Sequence, residues 1–176
     1  MTDTPEFSRL LSVARIPPSG TQEKLSATPT ECAALAKRFD LVSVGSLSAE
    51  LDIAQTGRQS FKVTGTIKGE VAQRCVVTLE SLPVHINLNV DMTFIPAVDD
   101  VEATGNTYPD ELEEEFEVYS GSKIDLGEMV AQYMAISLDP YPRKPDAALP
   151  KTEFGAKIEV KQPFAKLAEA FKKQKE

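Results

Sequence analysis

Two cysteines, Cys32 and Cys75, and one histidine, His85, are the chain's whole stock of thiol and imidazole. A thiol attacks only as the thiolate, so it needs a base, a cation or a helix N-terminus beside it. Cys75 follows Arg74 at a strand–turn boundary, and that placement is the sole support for a small thiol-dependent enzyme using Cys75. Cys32 falls on an apolar helical face with no His or Lys close in sequence, which makes it a small core residue. His85 stands between Val84 and Ile86 on the polar side of an alternating run, where a solvated imidazole is expected. Structural zinc takes four nitrogen or sulfur ligands, more than these three residues supply. No G-x-x-x-x-G-K-[ST], G-x-G-x-x-G or G-x-S-x-G run occurs. The residues therefore predict no catalytic site, no metal and no cofactor: a protein that is not an enzyme and takes no small-molecule substrate.

Charge is the other chemical resource. The formal net charge of -8 is unevenly spread. Residues 99–117 hold nine acids and no Lys or Arg, whereas residues 141–176 hold nine Lys or Arg against five acids. The acids lack the D-x-D-x-D-G spacing of a calcium loop, so a solvated, self-repelling acidic loop over 99–115 is expected. An acidic insert and a basic end can face different partners, or each other. Arg74, Arg143, Lys144, Lys172 and Lys173 are the cations placed to contact RNA or another partner. No apolar run is long enough for a signal-peptide core or a membrane span, so a cytoplasmic protein with free thiols and no membrane contact is expected.

Position is set by the elements around these groups. Thr28-Pro29-Thr30-Glu31 is a helix start with a reciprocal cap, and Cys32, Leu35, Ala36 and Phe39 then share one face. Leu47, Ala49, Leu51 and Ile53 alternate as a strand. Phe61, Val63, Ile67 and Val71 share one phase with Gly65 and Gly69, and glycines inside a strand mark a bend, a bulge or a close approach. After a break at Leu82-Pro83, residues 84–94 alternate without fault, and Ile95-Pro96 ends that strand. Phe116 and Val118 alternate with Glu117 and Tyr119 in a short return strand. Asp125 caps a second helix, with Glu128 as its capping-box partner, and Asp139-Pro140-Tyr141-Pro142 ends it. Phe164, Leu167, Ala168 and Phe171 line one side of a short C-terminal helix.

The expected fold is α+β: a curved, mainly antiparallel sheet, open or barrel-like, with two packed helices and a C-terminal helical tail. The expected organisation is an N-terminal, partly extended segment over 1–27, a core domain over 28–142 and a linker with a basic amphipathic helix over 143–176.

The run 65–94, the acidic interval, Ile124-Asp125-Leu126 and the exit Ser137-Leu138-Asp139-Pro140-Tyr141-Pro142 together resemble the bacterial YceD family. Cys75, Leu79, Glu80, Phe94, Asp125, Leu126, Leu138 and Pro142 carry the match, and Pro163-Phe164-Ala165-x-Leu167 is similar to the tail of many members. The resemblance implies a non-enzymatic factor in ribosome biogenesis that supports accumulation of large-subunit ribosomal RNA. It implies ribosomal RNA, a large-subunit ribosomal protein or an assembly intermediate as partner. Thr78 stands where many members carry a second cysteine, and Arg143-Lys144-Pro145 follows the exit without one, so no metal site is carried over. A generic protein-interaction scaffold that leaves RNA untouched is the remaining alternative.

Overall fold

Strand β4 (Phe61–Arg74) is the spine of the fold. The computed structural model describes residues 5–57, 59–97 and 116–148. β4 pairs antiparallel with β3 (Ser43–Gln55) on one side and with β5 (Ser81–Pro96) on the other, as short connections require. β2 (Thr21–Ser26) adds antiparallel to β3, and β6 (Phe116–Tyr119) adds parallel to β5. The order is β2-β3-β4-β5-β6, an open mixed sheet; the barrel-like alternative does not hold. β1 (Leu10–Ser12) and β7 (Lys123–Asp125) form a separate antiparallel ribbon. Helices α1 (Pro29–Arg38) and α2 (Leu126–Ile136) pack on one face of the sheet, α1 against β3 and α2 against β4. The fold is α+β. The acidic loop 99–115 and the C-terminal helix lie outside the described residues.

Alternation puts the apolar row of each long strand under the helices. Leu47, Ala49, Leu51 and Ile53 of β3, Val63, Ile67 and Val71 of β4, and Ile86, Val90 and Phe94 of β5 are buried there. They meet Cys32 and Leu35 of α1 and Leu126, Met129, Val130 and Met134 of α2 in one cluster. Gly65 and Gly69 lie on the same face where β3 approaches. A Cβ on Gly65 would sit 2.1 Å from the Glu50 carbonyl oxygen, and one on Gly69 would sit 2.9 Å from that of Ser46. Close approach is thus the reason for both.

The α1 cap forms as the sequence predicts: Thr28 Oγ1 accepts from the Glu31 amide, and Glu31 accepts from the Thr28 amide. α2 departs from its prediction. Asp125 caps it through the Gly127 and Glu128 amides, but Glu128 reaches Arg38 of α1 at 2.6 Å rather than back to the cap. A cation on the adjacent helix wins over the cap's backbone donor.

Two further expectations are corrected. Leu82-Pro83 is not a break; Pro83 pairs with Ala72 inside β5, and the reversal lies at residues 75–80. β6 covers only Thr93 to Pro96, so Pro83 lies on an open edge, where its missing N–H costs no ladder bond. β6 does not return antiparallel, because nineteen residues separate it from Pro96, room for a crossover. Within it Tyr119 is buried, while Phe116 and Val118 are exposed.

Candidate functional site

The turn after β4 is built by its own backbone. The Cys75 amide donates to the Glu80 carbonyl at 2.8 Å, and the Leu79 amide donates to the Cys75 carbonyl at 2.9 Å. Leu79 closes the turn at φ +62°, the left-handed region that a branched side chain seldom adopts. The segment after α2 then lies across this turn. The Val76 amide donates to the Pro142 carbonyl at 2.9 Å, Gln73 Nε2 donates to the Asp139 carbonyl at 2.8 Å, and Lys144 Nζ pairs with Glu80 at 2.8 Å. The result is a clasp: residues 73–80 gripped by residues 139–144. Gln73 is the buried polar side chain of the described core, and its amide is spent on holding the strap.

Cys75 is the pivot of the clasp. Its side chain is fully buried, and Sγ accepts from the Thr78 and Lys144 amides, each at 3.5 Å. The Thr78 hydroxyl, then the Thr78 and Lys144 amides, favour the thiolate and hold the Cys75 thiol down to about 6. Burial pushes the Cys32 thiol up. A low pKa gives a nucleophile only where a substrate can reach the sulfur. Here the sulfur faces its own turn, and its lone pairs orient two chain segments.

Five of the proposed contact residues divide by position. Arg74, the last residue of β4, and Arg143, in the strap, are exposed, and neither makes a hydrogen bond or ion pair among the described residues. Lys144 is tied to Glu80, which raises its pKa. Lys172 and Lys173 lie outside the described residues. Leu79 and Tyr141, 65% and 74% exposed, lie on the two segments of the clasp, as does Val76.

The outward face of the sheet is a different surface. Lys24 pairs with Glu50 at 2.8 Å, Lys62 with Asp91 at 3.1 Å, and His85 stands 3.9 Å from Glu70. Lys24–Glu50 and Lys62–Asp91 thus pair across its strands, and its β2 to β5 rows hold no Phe, Tyr or Trp. His85 is 83% exposed at its side chain, a surface imidazole as expected. On the other flank, a hollow of about 460 Å³ is lined by Val13, Gln55, Gln59, Phe61, Tyr119 and Ser122, among others. Its Tyr119 hydroxyl already donates to the Gln59 carbonyl at 2.8 Å. Among the described residues no three His, Cys, Asp or Glu side chains gather as a metal site, and no helix is long and apolar enough to cross a membrane.

Residues 63–171 match the family described as large ribosomal RNA subunit accumulation protein YceD. The chain belongs to the YceD family. No curated protein and no solved structure matches it. The matched stretch opens inside β4 and takes in the clasp, β5, α2 and the strap.

The residues that carry the YceD pattern fall into three places. Cys75, Leu79, Glu80 and Pro142 are parts of the clasp, and half-buried Leu138 packs on the core just before the strap. Phe94 is buried opposite Phe61, whose ring lies 6.2 Å from that of Tyr119. Asp125 and Leu126 anchor the N-terminal segment. Asp125 accepts from the Ser8 hydroxyl and from the Arg9 amide at 2.7 Å, while the Leu126 amide donates to the Arg9 carbonyl at 3.1 Å. Gly127 completes that crossing, since a Cβ there would lie 2.5 Å from the Phe7 carbonyl oxygen.

Sequence reasoning missed Gln73, Val76, Thr78 and Tyr141. Gln73 had a readable signal, because it occupies the inward phase of β4 where every other side chain is apolar or absent. Val76 had none, since its partner Pro142 lies more than sixty residues away.

Proposed function

We propose that this chain supports large-subunit ribosomal RNA accumulation without bond-making or bond-breaking, by binding ribosomal RNA at the end of the molecule that carries the clasp. The family's role in large ribosomal subunit RNA accumulation supplies the context. The observation that carries the reading is that the guanidiniums of Arg74 and Arg143, on the two segments of the clasp, are exposed and unpaired among the described residues, with exposed Tyr141 two residues before Arg143. Guanidinium binds phosphate in a planar, bidentate way, and a tyrosine ring offers a stacking surface to an unpaired base. The ring-poor outward sheet face offers neither. Lys144, Lys172 and Lys173 add phosphate attraction from the strap and the C-terminal stretch.

The test is the salt dependence of binding to large-subunit ribosomal RNA, followed by fluorescence anisotropy. Each phosphate contact contributes about 0.7 to 0.9 to the slope of log K against log salt. Replacing Arg74, Arg143, Lys172 and Lys173 by Gln should flatten that slope by about three units. A slope left unaltered would remove these residues from RNA contact.

A second reading rests on a separate feature, the nine acids of residues 99–117. Described residues Ala97 and Phe116 fix both ends of that run beside exposed Phe116 and Val118. A basic large-subunit ribosomal protein would suit it. Deleting residues 99–115 should then weaken recovery of that protein in a pull-down while leaving the RNA slope intact. Thiol chemistry at Cys75 is the least favoured alternative, because its sulfur is covered by the turn that it organises.

A further inference from the structure

β5 is 16 residues long, but on the side away from β4 only Thr93 to Pro96 are covered, by β6. From Val84 to Met92 nothing among the described residues pairs with that edge. The ladder fixes which groups lie there. The Cys75 amide donates to the Glu80 carbonyl, so these two residues form a hydrogen-bonded pair, and such pairs alternate with unbonded ones along an antiparallel ladder. The register runs without a shift from Arg74 and Ser81 to Thr64 and Asp91. His85, Asn87, Asn89 and Asp91 therefore fall in unbonded pairs, and their main-chain N–H and C=O groups point away from β4, along the open edge. Native sheets blunt such an edge with proline, lysine, a bulge or short length. Pro83 closes one end and β6 the other. The stretch from Val84 to Met92 between them, about 30 Å of strand, has none of these devices. Val84, Leu88 and Met92 are only half-buried there, although their row belongs to the core face.

We propose that this edge takes up an extended, basic segment of a partner protein as an added strand. Main-chain groups in an unbroken row bind any extended chain, and the half-buried row seats every second side chain of the incoming strand. Charge makes the choice among partners. Asp91 is the one formally charged side chain between Val84 and Met92, and it is 62% exposed. Phe116, opposite Thr93, marks the end of the open stretch, and the residues joined to it, 110–115, are five acids and one leucine. On a chain of net charge -8 an acidic strand is repelled and a basic one drawn in. RNA is disfavoured at this edge, because β5 has no Lys or Arg to meet a phosphate. The proposal rests on the reading of the acidic run as a dock for a basic protein in its charge preference alone; the strand addition follows from the ladder.

Site-resolved amide exchange of the full chain tests this, with a peptide of alternating Lys and Val, matched in length to the open stretch, as the probe. In the free chain the amides of His85, Asn87, Asn89 and Asp91 should exchange freely, while those of Ile86, Leu88 and Val90, bonded to β4, stay protected. Saturating peptide should slow the four edge amides at least about tenfold. A Glu–Val peptide should bind at least about tenfold more weakly. Asn87→Pro, in the phase that Pro83 already occupies, removes one edge donor and puts a ring in the path without costing the β4 ladder a bond, and it should abolish the slowing. Asn87→Lys with Asn89→Lys, at two exposed side chains, should weaken the Lys–Val peptide by repulsion while the β3 and β4 amides stay as protected as before. Edge amides already protected in the free chain would overturn the proposal, since the chain would then cover its own edge. So would peptide binding that leaves them exchanging freely, equal binding of the Glu–Val peptide, slowing that survives both variants, or slowing by an RNA oligonucleotide in place of the peptide. A pull-down indifferent to deletion of residues 99–115, with edge slowing by the Lys–Val peptide intact, would discard the acidic-run reading and leave the strand addition supported.

Discussion

Replacing Gly65 by alanine separates two effects that a glycine can serve. Gly65 sits opposite Leu51 and Val90 in the middle of the sheet at φ +155°, a conformation L residues rarely adopt. The added methyl would meet the Glu50 carbonyl oxygen at 2.1 Å and the Leu51 Cα at 2.9 Å, both backbone atoms that no rotamer change can move. The backbone strain costs about 1–3 kcal/mol. Forcing β3 and β4 apart costs about 1–3 kcal/mol more, by analogy with overpacking a core. A total near 4 kcal/mol corresponds to a fall in Tm of roughly 8–16 °C for a chain of this size. Two sister variants supply the controls. Gly121→Ala has the strain, at φ +74°, with nothing within 4 Å, and should cost about 1 kcal/mol. Gly69→Ala has a 2.9 Å approach to Ser46 at ordinary φ, and should cost about 1–3 kcal/mol through sterics alone. Urea denaturation of the three variants gives the order. If Gly65→Ala proves no worse than Gly121→Ala, close strand approach is not why glycine stands there.

Three other outcomes follow from the same geometry. Arg9 grips Glu31 at 2.7 Å and holds its carboxyl down to about 2, so this contribution is complete above the unfolded carboxylate range near 4.5 and fades as pH falls toward 2. The shift is worth about 3 kcal/mol at most, and about half of that or less after screening of a pair that is 33% and 21% exposed. The stability gap between the natural chain and Glu31→Gln should therefore shrink between pH 7 and pH 3; a gap that stays constant refutes the assignment. Asp125→Ala strands four donors and should cost about 2–4 kcal/mol in urea denaturation, whereas Asp125→Asn should recover most of it; equal losses would show that the charge matters rather than the acceptor geometry. Iodoacetamide at pH 7 should label native Cys75 at least about 100-fold more slowly than the urea-unfolded chain despite its lowered pKa. Rapid native labelling would reopen the thiol-enzyme alternative.

Local signals in the chain proved readable where one stretch decides its own fate. The Thr28–Glu31 reciprocal cap is complete within four residues, and the alternation of β3, β4 and β5 needs only to know that one face is dry. Where the decision belongs to a distant partner, the same rules mislead. β6 alternates, but alternation does not say which side is inward; Tyr119 wins because its ring packs at a tilt near Phe61 and its hydroxyl finds the Gln59 carbonyl. β2 falls in a stretch without strong periodicity, because Thr21, Glu23 and Leu25 share a face that only pairing with β3 reveals.

The candidate site shows the same division more sharply. The Cys75, Leu79 and Glu80 spacing is visible in the sequence, yet it looks like the start of a chemical site only while the turn is considered alone. Adding the strap changes its meaning: the sulfur becomes an acceptor for the Thr78 and Lys144 amides, and Glu80 becomes the anchor for Lys144. What remains outward is Leu79, Val76, Tyr141 and two guanidiniums, groups suited to holding a partner rather than transforming one. The covered sulfur therefore argues against thiol chemistry at Cys75, since the groups that lower the thiol's pKa belong to the turn and strap that bury it.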